Sequence, residues 1–151
     1  MTGSVVAVCR SDRKGTAKTS IPSGLLVAGE GMRGDAHAGP GDRQLSLLAS
    51  ESVDTMRAKG LSVGPGSFGE NLTTRGVLPA DLAPGRRLRI GRTAEVEVTI
   101  IGKTCHTPCA IYRQAGDCVM PRDGVFVRVL SGGEVRPGDA IELLAPAAPA
   151  S

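Results

Sequence analysis

The stretch AEVEVTII, residues 94–101, decides the fold. Its apolar residues from Ala94 to Ile100 alternate with Glu95, Glu97 and Thr99. A period of two is typical of a strand that buries one face and exposes the other. Just before it, the segment LAPGRRLRI, residues 82–90, reads as a Pro-Gly turn that feeds another strand. The region therefore predicts adjacent β-strands.

Further apolar runs, with one helical segment, fill the rest of the chain. The sequence has 21 glycines and 10 prolines, most of them between these runs, which indicates many short strands joined by tight turns. Strands are predicted at residues 4–9, 25–27, 44–48, 125–130 and 135–144, with a hairpin turn at Gly132-Gly133, a break at the turn 137–139 and a helix at 51–59 between Ser50 as N-cap and Gly60 as stop. About seven strands with one or two short helices predict a mainly β protein with a closed or nearly closed, mostly antiparallel β-barrel. Periodicity leaves a β-sandwich open. We expect one domain over residues 1–145 and a disordered tail over 146–151.

Composition narrows the function classes. The net charge is only +3, there are three aromatic residues, and no basic tract is present, so nucleic acid is not an expected partner. No apolar run approaches the roughly 18 residues of a membrane span, and the N-terminal residues do not resemble an export signal. We therefore expect a cytoplasmic protein with no membrane partner.

Residues 101–128, the cysteine stretch, hold three of the four cysteines. Cys105, His106, Cys109 and Cys118 fall directly after the strand at 94–101. Thr107 and Pro108 read as the cap and first residue of a short helix over 108–115, which Gly116 ends. Unpaired N–H groups and the positive end of a helix dipole stabilise thiolates. The stretch therefore predicts reactive thiolates at Cys105 and Cys109.

Three interpretations of this stretch stay open. The first is a nucleophilic or sulfur-carrying cysteine, with neighbouring groups assisting. The second is a structural zinc site made of Cys105, His106, Cys109 and Cys118, although the spacing lacks paired Cys-x-x-Cys knuckles. The third is a redox dithiol between Cys105 and Cys109. His106 fits a proton-transfer role or a solvent-facing loop position equally well.

Polar residues outside the cysteine stretch form further candidates. A glycine-rich loop carries Asp35, His37 and Arg43, and a surface loop explains these residues as well as a site does. Glu70 and Asn71 suit an acid or base beside an orienting amide, or a turn-entry pair at the start of a strand. Cys9 is expected to be a small core residue. The run Arg86, Arg87, Arg89 and Arg92 is a candidate site for a small anionic ligand.

The order of these motifs resembles one family. RGDAHAG with RQLSLL, PGSFGENLTT, LAPGRRLRIG, the cysteine stretch and GGEVRPGD follow one another as in a small standalone MOSC domain, named for the C-terminal part of the molybdenum cofactor sulfurase. The likeness runs over nearly the whole chain, from about residue 5 to residue 143. It implies a β-barrel-like fold and a thiol that handles sulfur or binds the molybdenum cofactor.

The resemblance also assigns roles to residues. It implies Cys105 as the nucleophile, with Cys109 as second choice because the proline that often precedes the key cysteine in relatives stands here at Pro108. We expect His106 or His37 to move the proton. The expected substrate- or cofactor-binding residues are Asp35, Arg43, Glu70, Asn71, Arg113, Cys118 and Arg122.

The expected activity is sulfur transfer or removal through a cysteine persulfide, linked to molybdenum cofactor metabolism. A carbon-sulfur lyase acting on a thiol-derived small molecule is a variant of it, and a non-enzymatic carrier of molybdopterin is the alternative. No segment resembles the pyridoxal-phosphate domain of the fused sulfurases. The expected partners are a sulfur donor, either a protein or a small thiol, and molybdoenzymes, while the sequence does not identify the sulfur acceptor.

Overall fold

The computed structural model describes residues 2–12, 17–36, 38–60, 62–77, 82–101 and 124–144. Within these ranges the chain forms eleven strands and one helix. They are β1 (Thr2–Arg10), β2 (Thr19–Ile21), β3 (Gly24–Val27), β4 (Gly31–Met32), β5 (Leu45–Ala49), α1 (Ser50–Ala58), β6 (Leu72–Arg75), β7 (Arg87–Ile90), β8 (Ala94–Ile101), β9 (Val125–Ser131), β10 (Gly133–Val135) and β11 (Ala140–Leu143).

Seven strands close into a barrel. Their order is β11-β7-β8-β9-β5-β6-β1, and β1 closes the ring by pairing with β11 between Thr2 and Glu142. All of these pairs are antiparallel except β5–β6, which α1 connects as a parallel crossover. β2 extends the sheet beyond β1, while β10, β3 and β4 form a separate three-stranded sheet. The prediction of a mainly β, closed barrel is confirmed.

Alternation along the strands fills the barrel with branched aliphatic side chains. In β8, Val96 and Val98 point into the core, while Glu95 and Glu97 stand opposite Arg89 and Arg87 of β7 on the outer face. With few aromatics, the interior relies on valine, leucine and isoleucine, whose branched side chains suit a pleated surface. The alternation that identified β8 in the sequence therefore also builds the barrel core.

Helix α1 covers part of the barrel's outer surface. Val53 and Met56 of the helix pack with Leu48, Phe68 and Phe126 in a second apolar cluster. The helix was expected to begin after a Ser50 cap, and this detail is wrong. Because β5 runs straight into the helix, Ala49 is the cap residue, and the Ser50 hydroxyl donates to the Glu51 carboxylate. The chain leaves the helix at Lys59, and Gly60 follows with φ +89°, as predicted for the stop.

One local prediction is overturned by pairing with a distant strand. Gly132-Gly133 is not a hairpin turn, because β10 begins at Gly133 and pairs with β3, placing Glu134 opposite Leu25. Residues 19–21, for which no strand was predicted, form β2 against the end of β1. The predicted break at 137–139 is confirmed as a turn, closed by the Asp139 N–H donating to the Arg136 carbonyl at 3.1 Å.

The end of β8 fixes where the cysteine stretch meets the barrel. Ile101 and Val125 are register partners in the β8–β9 pair, so the chain leaves and re-enters the barrel at one point. The predicted helix at 108–115 and the predicted tail at 146–151 lie outside the described residues. Among the helices of the described ranges, none has the length and apolarity needed to cross a membrane.

Candidate functional site

A buried ion pair anchors the loop that carries the first predicted site residue. The Lys18 Nζ atom lies 2.8 Å from Asp35 Oδ1, and both side chains are fully buried. The Ser11 N–H donates to the same carboxylate at 3.2 Å, and Lys18 donates to the Ser11 hydroxyl at 3.3 Å. Removing one partner of a buried pair leaves the other charge buried without compensation, which is strongly destabilising. This contact therefore holds the Asp35 loop firmly against the end of β1. Sequence reasoning missed Lys18, whose polar segment gives no sign of burial.

Asn71 joins three strands with its side-chain amide. Its Nδ2 donates to the Cys9 carbonyl at 3.2 Å, and its Oδ1 accepts from the Ser46 N–H at 3.1 Å and from the Ser46 hydroxyl at 3.2 Å. The side chain is fully buried at the entrance to β6. These bonds favour the turn-entry interpretation of the Glu70-Asn71 pair, in which Asn71 fixes β1, β5 and β6 to one another.

Glu70 is a buried carboxyl group held by its own turn. The Thr73 hydroxyl donates to Oε2 at 2.8 Å and the Phe68 N–H donates to Oε1 at 3.3 Å. Burial raises the pKa of Glu70 above its ordinary value, and these hydrogen bonds oppose that shift only in part. Burial therefore favours the protonated form of Glu70 more strongly in the folded protein than in the unfolded chain.

Cys9 lies in the same buried polar cluster, which we define as Cys9, Lys18, Asp35, Glu70 and Asn71. Burial raises the pKa of the Cys9 thiol to about 12; the nearby Glu70 contributes, while Lys18 opposes the shift. A thiol of this kind is inert as a nucleophile at neutral pH. The prediction of a small core residue at Cys9 is confirmed.

Gly66 allows this cluster to pack closely. Its φ is +82°, and a Cβ there would lie 2.2 Å from the Lys18 carbonyl oxygen and 3.2 Å from Cys9 Sγ. The Lys18 N–H also donates to the Gly66 carbonyl at 2.8 Å. Only glycine fits both the left-handed backbone and the close approach, so this position is fixed by the packing of the cluster.

Arg43 lies near the end of β8, apart from the buried polar cluster. Its guanidinium carbon is 5.4 Å from the centre of the Phe126 ring, in a cation–π contact, and the side chain is exposed. The Thr99 hydroxyl donates to the Asp42 carbonyl, and the Gln44 side-chain oxygen accepts from the Val129 N–H at 3.0 Å. The loop bearing Arg43 is thus held against β8 and β9, beside the point where the cysteine stretch departs.

The remaining predicted site residues are not placed by the structure. They are His37, Cys105, His106, Cys109, Arg113, Cys118 and Arg122, which lie outside the described residues. Among the residues that are described, no three histidine, cysteine or acidic side chains gather as metal ligands do. The zinc alternative rests on four of the undescribed residues and stays a prediction.

The arginine run divides into different environments. Arg87 lies 3.7 Å from the Glu97 carboxylate, and Arg89 lies 3.3 Å from Glu95 and 3.8 Å from Glu142. These two arginines belong to cross-strand charge pairs on the outer face of the barrel. Arg86 and Arg92 have no ion-pair partner among the described residues. Arg86 is partly buried just before β7, whereas Arg92 is exposed in the turn before β8.

Comparison with known proteins identifies the fold and the family. The YuaD protein of Bacillus subtilis superposes with a TM-score of 0.79 at 20% identity, over 95% of this chain and 96% of that one. YiiM of Geobacillus stearothermophilus gives 0.73 at 21% identity, over 95% and 75% of the two chains. YiiM of Escherichia coli gives 0.68 at 22% identity, over 96% and 70%. No curated protein matches the sequence.

The family model of the MOSC domain matches residues 33–142, which include the Asp35 loop, the buried Glu70-Asn71 pair and the whole cysteine stretch. This family is linked to the C-terminal domains of molybdenum cofactor sulfurases. The match spans well over half of the chain, and the resemblance seen in the sequence motifs is confirmed. The chain therefore belongs to the MOSC domain family.

Proposed function

We propose that this protein transfers or removes sulfur through a cysteine thiolate of the cysteine stretch, in molybdenum cofactor metabolism. The observation that supports it best is the contact between Thr99 of β8 and the carbonyl of Asp42. That contact holds Arg43, the first residue of the RQLSLL motif, beside β8. The cysteine stretch departs from the end of the same strand. A cationic group and the start of the thiol-bearing segment thus meet at one end of the barrel.

The proposed chemistry begins with the Cys105 thiolate. Its sulfur attacks the outer sulfur of a donor persulfide, forming a new S–S bond while the donor's S–S bond breaks and the donor leaves as a thiolate. The product is a cysteine persulfide, and no external oxidant or reductant is needed. His106 or His37 takes or returns the proton. In the carbon-sulfur lyase variant, the same thiolate attacks the sulfur of a thiol-derived small molecule, so that an S–S bond forms as the C–S bond breaks. The carbon keeps the bonding electron pair and takes up a proton, and Cys105 is left as a persulfide.

The described residues contribute binding and positioning. Molybdopterin carries a phosphate, and the exposed guanidinium of Arg43 suits an anionic ligand of this kind. Asn71 has both ends of its amide engaged, so we assign it to holding the strands rather than to touching the ligand. Asp35 has the same character, because its carboxylate pairs with the buried Lys18. We propose Arg43 as the ligand-facing member of this group.

Mass spectrometry after incubation with a persulfide donor tests the proposal. We expect an adduct of about 32 Da, one sulfur atom, on the wild-type protein. The adduct should disappear in Cys105→Ser and persist in Cys109→Ser. Cys9→Ser is the matched control, because its buried thiol should not carry sulfur.

Two other results would replace the proposal. Tight molybdopterin binding with no adduct on any cysteine would establish a carrier that delivers the cofactor to a molybdoenzyme. One zinc ion per chain, with unfolding on chelation, would establish the structural zinc site instead. An adduct lost only in Cys109→Ser would keep the reaction and move the nucleophile to Cys109.

A further inference from the structure

A glycine bulge sets the direction of Arg86. The Arg86 N–H donates to the Ala83 carbonyl at 2.9 Å, closing a turn in which Gly85 has φ +94°. The Gly85 N–H then donates to the Val98 carbonyl at 2.8 Å, and the Val98 N–H donates to the Arg86 carbonyl at 2.8 Å. Two residues of one strand therefore oppose a single residue of the other, which is the pattern of a bulge with glycine in its first position.

Beyond the bulge the β7–β8 register is regular. Arg87 stands opposite Glu97 and Leu88 opposite Val96, so side chains alternate from there. Leu88 and Val98 belong to the barrel core. Arg86 shares their side of the sheet, whereas Arg87 points outward to Glu97. The cationic side chain of Arg86 therefore lies on the interior-facing side of the sheet, directly before β7 begins.

The Nε atom of Arg86 is buried and has no hydrogen-bond partner among the residues that the structure describes. Its guanidinium forms no ion pair with any of those residues either. The Nε of Arg87 also lacks a hydrogen bond within the described ranges, but it lies 3.7 Å from the Glu97 carboxylate. A guanidinium stays charged at all physiological pH values, and a desolvated donor without a partner destabilises the fold. Among the described residues, Arg86 therefore has no anionic partner for its guanidinium, whereas Arg87 has Glu97.

This end of the barrel, which we call the barrel mouth, is formed by Arg86, Ile101, Val125 and Leu143. Ile101 and Leu143 are partly buried against the core there. Ile101 is three residues beyond Val98, the partner of Arg86, or about 10 Å along an extended strand. The cysteine stretch therefore leaves the barrel about 10 Å along β8 from the residue that pairs with Arg86.

We propose that Arg86 binds the anionic oxygen group, a phosphate or a carboxylate, of the small molecule on which the cysteine stretch acts. The reaction in this assignment is that of the proposed function. The choice of Arg86 depends instead on the bulge and on the unpaired Nε donor. An anion bound by the planar guanidinium anchors one end of the substrate at the barrel mouth. The rest of the substrate then lies at the barrel mouth, where the cysteine stretch leaves β8, so Arg86 sets the charge class of the substrate.

Phosphate titration followed by NMR tests this role. The probes are inorganic phosphate and, separately, acetate, at constant ionic strength, and the signal is the arginine Nε–Hε resonance that disappears in Arg86→Gln. We expect phosphate or acetate to shift this resonance in the wild type. The dissociation constant, followed in every variant at the backbone amide of Val98, which bonds to the Arg86 carbonyl, should weaken at least about tenfold in Arg86→Gln and less in Arg86→Lys, which keeps the charge but loses the planar fork.

Arg92→Gln is the matched control. It removes the same charge from an exposed arginine in the turn before β8, about 23 Å of strand away from Ile101. It should bind the probe as the wild type does. Equal weakening in Arg86→Gln and Arg92→Gln, or an Arg86 resonance that neither anion shifts, would overturn the proposal. A shift by phosphate alone assigns a phosphate-bearing substrate, and a shift by acetate alone assigns a carboxylate.

Cys105→Ser separates this inference from the proposed function. Anion binding does not need the thiol, so this variant should bind the probe with the wild-type dissociation constant. If no cysteine accepts sulfur while Arg86 still binds the anion, the reaction is wrong and the binding site stands. If persulfide forms normally in Arg86→Gln from every anionic donor tested, the substrate role of Arg86 is wrong and the reaction stands.

Discussion

Removing one partner of the Lys18–Asp35 pair should destabilise the protein severely, and removing both should not. The two charged atoms are 2.8 Å apart and their side chains are fully buried. Lys18→Met leaves the Asp35 carboxylate without its cation, and Asp35→Leu leaves the ammonium without its anion. Breaking a buried pair in this way costs about 3–5 kcal/mol. That is a large share of the roughly 5–15 kcal/mol by which a domain is stable.

The double variant Lys18→Met/Asp35→Leu should recover most of this loss, because apolar groups of similar volume replace a buried pair at small net cost. Urea unfolding at pH 7 measures all three variants, and thermal unfolding should show melting temperatures lowered by roughly 6–20 °C in the singles. Asp54→Leu is the control. Its partner Arg57 is 3.1 Å away, yet both side chains are half exposed, so the loss should stay below about 1 kcal/mol.

Two results would refute this reasoning. If each single variant loses no more than Asp54→Leu, the pair does not hold the Asp35 loop. If the losses of the single variants simply add in the double variant, the two side chains act independently and no coupling exists between them. Either outcome would remove the ion pair as the reason for the placement of the Asp35 loop.

Further predictions concern the other members of the buried polar cluster. Asn71→Ala should cost about 2–6 kcal/mol, because two buried backbone groups lose their partner; faster hydrogen exchange at the Ser46 amide would identify the cause, and unchanged exchange would contradict it. Since burial raises the pKa of Glu70, the folded state holds its proton above pH 4.5 where the unfolded state releases it. The stability of the wild type relative to Glu70→Gln should therefore be highest below pH 4.5 and fall as pH rises through the folded-state pKa, and a difference that grows with pH would refute this. Cys9 should resist iodoacetamide at pH 8 in the native protein and react once urea unfolds it, because its pKa is about 12; peptide mapping that finds native Cys9 labelled as fast as unfolded Cys9 would exclude this environment.

The barrel strands with clear alternation could be predicted from the sequence. β8 shows alternation, and the Pro84-Gly85 turn that precedes β7 is visible from its residues alone. Gly132-Gly133 was misread because two glycines indicate a hairpin locally. Gly133 instead pairs with Leu26 of β3, which lies more than a hundred residues earlier in the chain.

The buried polar cluster was harder to predict because its contacts are distant in sequence. Asn71 bonds to Cys9, 62 positions away, and Lys18 reaches Asp35 across a segment with no periodicity. The motifs identified Asp35, Glu70 and Asn71 as unusual without revealing that they bond mainly to the protein itself. The fold alone shows that these three side chains bond within the protein. By contrast, Arg43 is exposed, and Arg86 has no ion-pair partner among the described residues.

The closure of β1 on β11 has a consequence for how the protein is made. Thr2 pairs with Glu142, so β1 cannot gain this neighbour until residues 140–143 have left the ribosome. Contacts of such long sequence separation slow folding, and both β1 and β7 keep an open hydrogen-bonding edge until β11 arrives. A chain stopped short of residue 140 would leave these edges of β1 and β7 unpaired, and unpaired strand edges favour aggregation.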